Sequence, residues 1–175
     1  MIEHKILFTG TVGAGKTTAI QSVSEIPVVC TDVLNSDPSL GKEMTTVALD
    51  YGEVSLARTE RLRLYGTPGQ ERFSFMWKVL AQGALGLVIL IDHTQPEPLA
   101  DLETYLKYFR ELIQSTACVV VISKMDESRL PAIKDFTELM QKHHMVYPVV
   151  AADVRKREQV LWILDLLLVQ MEARL

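Results

Sequence analysis

The sequence predicts an α/β domain with a mostly parallel six-stranded sheet, one antiparallel edge strand and helices on both faces. Three observations predict it. Short apolar runs alternate along the chain with segments of helical period. Two of those runs follow one another with no helix between them. A glycine-rich loop joins the first run to the first helix.

In chain order, strand Lys5–Thr9 leads into helix Lys16–Ser24. Strands Thr45–Tyr51 and Arg61–Tyr65 are separated only by Gly52–Glu60, too short for a crossover, so they form a hairpin that puts an antiparallel strand at the edge. Helix Phe73–Gln82, strand Gly86–Asp92, helix Pro98–Gln114, strand Cys118–Ser123, helix Pro131–His143, strand Met145–Ala151 and helix Lys156–Glu172 complete the alternation. Ligands of such sheets bind beyond the carboxyl ends of the strands, so the residues that follow each strand carry the chemistry.

The chain has 175 residues, 48 % of them hydrophobic, and 18 Lys and Arg against 22 Asp and Glu give a net charge of −4. This length supports a single domain over residues 1–175 with a core that needs no metal or disulfide staple. The mild acidity speaks against nucleic acid and against a polybasic membrane attachment. Cys30 and Cys118 each sit in an apolar stretch, as core thiols of a reducing compartment do. The apolar runs Leu85–Ile91 and Leu161–Val169 fall short of the ~20 residues of a membrane helix. Neither terminus carries a signal or lipidation pattern, so a cytoplasmic protein with no direct membrane anchor is expected.

Gly10-Thr11-Val12-Gly13-Ala14-Gly15-Lys16-Thr17 follows the first strand and opens a helix. This is the phosphate-loop pattern in the context it requires. Its glycines let successive N–H groups face phosphate oxygens, the helix N-terminus adds positive partial charge, Lys16 reaches the β- and γ-phosphates, and Thr17 ligates Mg²⁺. With Thr18, these residues form the phosphate side of a nucleotide site. After the fifth strand, Ser123-Lys124-Met125-Asp126 places an aspartate to accept from two guanine nitrogens, with a lysine stem covering the base. Tyr65-Gly66-Thr67-Pro68-Gly69-Gln70-Glu71 closes the third strand. There Gly69 offers its N–H to a γ-phosphate, and Gln70 orients a water for in-line attack. Thr46 ligates Mg²⁺ and touches the γ-phosphate only while the triphosphate is present, which would order the loop Thr31–Thr45 in one nucleotide state.

With these motifs in order, the sequence resembles the Ras-like small GTPases over almost its whole length. The resemblance implies a P-loop NTPase fold of the Ras-like G-domain type, GTP/GDP and Mg²⁺ as cofactors, and Lys16, Thr46 and Gln70 as the catalytic group. Thr17 and Thr46 would be the metal ligands. Ala152 or Asp153, after the sixth strand, corresponds to the backbone contact with the guanine O6. The Thr-Pro-Gly-Gln segment is similar to the bacterial MglA-type and roadblock-associated branch. It implies protein partners at switch I (31–46) and switch II (66–77), of roadblock type.

Three departures bear on mechanism. Gly66 stands where Ras-like chains carry an aspartate that holds Mg²⁺ through a water, so weaker Mg²⁺ coupling is expected, with Asp92 as a substitute candidate. Val12 and the stiff Pro68 crowd the γ-phosphate and predict slow hydrolysis. Ser123 replaces a longer Asn or Thr and predicts weaker bracing of the base loop. Arg72 reads as a surface ion-pair residue or an arginine that swings toward the phosphates. Phe73, Phe75, Met76 and Trp77 cannot all face inward from one helix, so one or two are exposed beside the switch. His4, His93, His143 and His144 lack metal spacing. Two other readings stand beside the GTPase: a docking module that binds nucleotide without turnover, and a small phosphotransferase, for which no arginine-rich lid is visible.

Overall fold

The computed structural model describes residues 2–34 and 46–174, with 30–34 and 46–48 described as backbone only. Among the described residues seven strands form one sheet in the order β2 (Val29–Leu34), β3 (Thr46–Ala57), β4 (Glu60–Gly66), β1 (Ile2–Gly10), β5 (Gly86–Asp92), β6 (Ala117–Ser123) and β7 (Val149–Ala151). β1 pairs in parallel with β4 and β5, β5 with β6, and β6 with β7. β3 runs antiparallel to both its neighbours and is the one strand of opposite direction among the described residues. This is the mostly parallel, helix-covered α/β fold of P-loop Ras-like domains.

β2 is additional to the strands marked by apolar runs, and it places β3 one position in from the edge. Its sequence, VCTDVL, carries Thr31 and Asp32 at its centre and so gives no continuous apolar run. An edge strand tolerates such polarity because it is not enclosed on both sides. β3 also continues beyond Tyr51 to Ala57, since Val54 packs inward and the hairpin turns only at Arg58-Thr59.

β5 and β6 are buried at every position, which is why they read as unbroken apolar runs. Alternate residues leave each strand on opposite faces. Ile6, Phe8, Val88, Leu90, Val119 and Val121 pack under α1 (Lys16–Val23) and α6 (Arg157–Glu172). Leu7, Leu87, Ile89, Ile91, Val120 and Ile122 pack on the other face. That face is covered by α2 (Ser74–Ala81), α3 (Pro98–Tyr108), α4 (Arg110–Ser115) and α5 (Ile133–Lys142). The helix expected over Pro98–Gln114 is thus two helices meeting at Phe109. Strand β7 begins only after Pro148, which has no N–H to add to a ladder.

Cys118 is buried in this second layer, and burial pushes its thiol up to about 12, as an inert core thiol requires. The side chain of Cys30 lies outside the described residues. Among the described residues no helix is long and apolar enough to cross a membrane.

Phe136 of α5 is fully enclosed in the second layer. Phe136→Ala should therefore cost roughly 3–5 kcal/mol. A urea titration will show it as a lower midpoint with an unchanged slope.

Candidate functional site

The carboxyl ends of β1, β4, β5 and β6 meet the phosphate loop, and close approach begins at its first residue. Gly10 has φ 140°, and a Cβ there would stand 2.0 Å from the Leu90 carbonyl oxygen of β5. Only glycine lets β1 leave the sheet at this point. Lys16 opens α1 with its ammonium buried, donating to the carbonyls of Gly10 (2.8 Å) and Thr11 (2.7 Å). Burial pushes this ammonium down to about 8, against an opposing pull from Asp50. The Thr11 hydroxyl is buried without a hydrogen-bond partner among the described residues.

The segment after β4 rests directly on this loop. A Cβ at Gly69 would lie 2.6 Å from the Val12 backbone nitrogen and 2.8 Å from Lys16 Nζ. The segment is anchored from behind: Trp77 Nε1 donates to the Pro68 carbonyl at 2.7 Å, and the indole stacks on Tyr105 with ring centres 5.0 Å apart. Gln70 is exposed, and its side-chain oxygen accepts from Arg72 Nε at 2.6 Å while Arg72 lies over the Phe73 ring. Arg72 thus holds the glutamine, a role that neither sequence expectation gave it. The Val12 side chain is exposed at the loop tip. Phe73 and Trp77 face the core whereas Phe75 and Val79 are exposed on α2, the division that helical geometry demands. Thr46 opens β3 opposite Leu34, but its side chain, with residues 35–45 of switch I, lies outside the described residues.

The first half of β3 supplies a residue that the sequence reading missed. Thr17 Oγ1 donates to Asp50 Oδ2 at 2.5 Å, and Asp50 is nearly buried. Asp50 stands directly opposite Gly66 in the β3–β4 pair. A Cβ at Gly66 would come within 3.0 Å of Asp50 Cβ and 3.1 Å of its Oδ2. The space beside Gly66 is thus filled by a carboxylate from the adjoining strand. The clue was legible once the hairpin register was known, since Gly66 and Asp50 each make sense only beside the other. Asp92, the substitute candidate, is occupied elsewhere. It accepts from Lys124 Nζ (2.6 Å) and from the amide (2.9 Å) and hydroxyl (2.6 Å) of Thr94. Burial pushes the Asp92 carboxyl up, yet these hydrogen bonds outweigh it and hold it below the usual range.

On the base side, Ser123 Oγ donates to the Ala14 carbonyl at 2.8 Å, so the shorter side chain does reach the loop it braces. Lys124, in the left-handed region at φ 53°, donates to the Gly13 carbonyl at 2.8 Å. Between these braces and α6 opens a cavity of about 620 Å³ whose walls include Gly13, Ala14, Gly15, Thr18, Ser123, Lys124, Ala152 and Asp153. Asp126 is not among its lining residues. Its carboxylate accepts from the amide (2.9 Å) and hydroxyl (2.6 Å) of Ser128. Glu127, Arg155 and Gln159 line the cavity instead, none of them marked by sequence spacing. Gln159 Oε1 accepts from the Asp153 amide at 2.7 Å, and the Ala152 amide is spent on the Ile122 carbonyl at 3.2 Å. Arg155 grips the Asp153 carboxylate through two hydrogen bonds of 2.8 Å, which hold that carboxyl down at about 2. His93 is buried rather than solvated. Its Nδ1 accepts from the Asp126 amide at 3.3 Å, and its Nε2 faces the Pro131 carbonyl at 2.9 Å, so it positions the base loop.

Over residues 40–169 the sequence matches the profile of a family described as conserved hypothetical ATP binding protein. The chain belongs to this family. It is also similar to Ras-type proteins at low identity. Ras-related protein RABA2a of Arabidopsis thaliana is 26 % identical over 74 % of this chain and 56 % of its own length. GTP-binding protein ypt4 of Schizosaccharomyces pombe is 24 % identical over 81 % of this chain and 60 % of its own. Ras-related protein RabC of Dictyostelium discoideum is 25 % identical over 98 % of this chain and 85 % of its own. The chain thus spans little more than half the length of the first two relatives. The family description names ATP, while the name of one relative specifies GTP.

Lys16 links the site to pH. A phosphate ligand favours the charged ammonium, whose pKa in the free protein is about 8. Below that pH the lysine is already protonated, and binding requires no proton. Above it each binding event must take one up, so affinity falls by up to about tenfold per pH unit. Titration with a fluorescent nucleoside diphosphate at a series of pH values should give a flat affinity below about 7.5 and a decline above about 8.

Proposed function

We propose that this protein is a guanine-nucleotide switch that binds GTP and GDP with Mg²⁺ and hydrolyses GTP slowly. The observation that carries the reading is the joint between the phosphate loop and the base loop. Lys124 and Ser123 hold the Gly13 and Ala14 carbonyls at 2.8 Å each, on the wall of a cavity sized for a nucleoside. Their hold turns the loop's carbonyls back toward the protein, so the N–H groups of Gly13, Gly15, Lys16 and Thr17 are left for phosphate oxygens. The names of the Ras-type relatives support the same reading.

Thr17 and Thr46 are the residues that would ligate Mg²⁺, whose bound form supplies charge neutralisation at the β- and γ-phosphates. Lys16 exchanges its two backbone carbonyl acceptors for phosphate oxygens. Gly69 withdraws from Val12 and Lys16 to admit the γ-phosphate. Gln70 acts as the water-orienting residue only after leaving Arg72, a reorganisation that slows turnover in the isolated protein. Asp126 turns from Ser128 to meet a guanine ring, with Ala152 and Asp153 on the opposite wall. A protein partner of the roadblock type, suggested by the Thr67-Pro68-Gly69-Gln70 segment, would read switch II through the exposed Phe75 and Val79.

The family description and the Ser128-bound carboxylate of Asp126 favour one second reading, an ATP site on the same loop. Competition of GTP and ATP for the purified protein, read by displacement of a fluorescent GDP, separates the two. GTP should compete at a concentration about 100-fold or more below that of ATP, since a site built to hydrogen-bond one base leaves groups unpaired with the other. Equal competition would overturn the guanine reading. In single-turnover phosphate release, Gln70→Ala should slow hydrolysis by about tenfold or more while the GTP dissociation constant stays the same.

A further inference from the structure

We propose that Asp50 is the carboxylate of the metal site, holding the water shell of a divalent cation from strand β3 in the place that Gly66 leaves open on β4. The inference deepens the nucleotide-switch reading and rests on it.

Three independent features converge on Asp50. Its Oδ2 accepts the Thr17 hydroxyl hydrogen at 2.5 Å. A hydroxyl that gives its hydrogen to a carboxylate keeps its lone pairs for a cation, and such outer carboxylates orient the direct ligand. Next, the β3–β4 register sets Asp50 opposite Gly66, so one hydrogen-bonded step across the hairpin separates the carboxylate from the position where Ras-like chains carry theirs. Finally, the packing makes the two residues mutually dependent. A side chain at position 66 would meet Asp50 Cβ at 3.0 Å, Asp50 Oδ2 at 3.1 Å and Ile20 Cδ1 at 3.2 Å. Glycine at 66 is what admits the aspartate at 50.

The donor set fits the cation. Mg²⁺ is held through one or two carboxylates and phosphate oxygens and keeps several waters, which does not require a dense protein cage. A single carboxylate beside a hydroxyl at the head of the phosphate loop meets that requirement. It is consistent with the finding that no group of three or more His, Cys, Asp or Glu able to hold a metal occurs among the described residues. Asp50 also favours the charged form of Lys16, so one carboxylate faces both cationic partners of the phosphates. Asp92 does not compete for the role, because Lys124 and Thr94 occupy it. Sequence alone suggested weak coupling of nucleotide to Mg²⁺; with Asp50 in place the coupling is expected to be strong.

The test measures release of a fluorescent GDP from the whole chain across buffered free Mg²⁺, in wild type, in Asp50→Asn, and in the exchange Asp50→Gly with Gly66→Asp. Wild type should release nucleotide much faster on chelation. In Asp50→Asn the Mg²⁺ concentration at half effect should rise about 10–100-fold. Its affinity for GDP in chelator should change less than that midpoint; an equal loss marks a purely structural role for Asp50 and overturns the proposal. The exchange variant should recover the wild-type Mg²⁺ midpoint to within about threefold, well inside the 10–100-fold range of outer-carboxylate losses. An unchanged midpoint in Asp50→Asn overturns the proposal, as does a folded exchange variant that recovers nothing. If circular dichroism shows that neither variant folds, Asp50 is a structural residue and the proposal also falls. Wild-type binding that ignores Mg²⁺ removes the proposal while leaving the switch reading intact. Binding of no nucleotide at all removes both.

Discussion

The ammonium of Lys124 is the joint on which the rest of the site depends. It is shared between the Gly13 carbonyl and the Asp92 carboxylate, and thereby ties the end of β6 to the loop after β1 and to the last residue of β5. The two partners differ sharply in exposure: the lysine side chain is half exposed, whereas that of Asp92 is 1 % exposed. Removing the lysine would leave a buried carboxylate with only Thr94 to satisfy it, and breaking such a pair costs far more than the pair contributes. The Lys124 backbone, from which the side chain reaches both acceptors, lies in the left-handed region.

At the other end of the loop the logic is one of charge in a confined space. Lys16 is buried with two carbonyl oxygens and a nearby carboxylate, and its ammonium is correspondingly easier to discharge than a surface lysine. Three close approaches shape that space: Gly10 against Leu90, Gly66 against Asp50 and Gly69 against Val12 and Lys16. The first lets the loop form at all. The second leaves room for the Asp50 side chain on the neighbouring strand. The third brings the segment after β4 onto the loop beside Val12 and Lys16, with Trp77 and Tyr105 behind it.

Much of this was legible beforehand because it is local. A strand, a glycine-rich loop and a helix in immediate succession define the phosphate loop within Gly10–Thr17, and β5 and β6 announce themselves as apolar runs, each closed by a polar residue. The division of Phe73, Phe75 and Trp77 between core and surface follows from helical geometry alone. What was not legible depends on pairing at a distance. β2 is a strand only because it finds β3, and its own residues give no apolar run. Asp126 reads as a base contact from its place after β6, yet Ser128, two residues on, captures its carboxylate. Arg72 reads as an ion-pair residue, yet it settles on its neighbour Gln70.

Fold class, the order of the elements and the position of the phosphate loop follow from the linear chain, since each rests on periodicity and on glycines a few residues apart. Which carboxylate stands beside Thr17 is instead a matter of long-range pairing. That choice depends on the register of two strands, on the absence of one Cβ at Gly66 and on the reach of an aspartate across the hairpin. A missing carboxylate on one strand and a present one on the next are separate facts along the chain. They become one site only when hydrogen bonding between the strands sets them side by side.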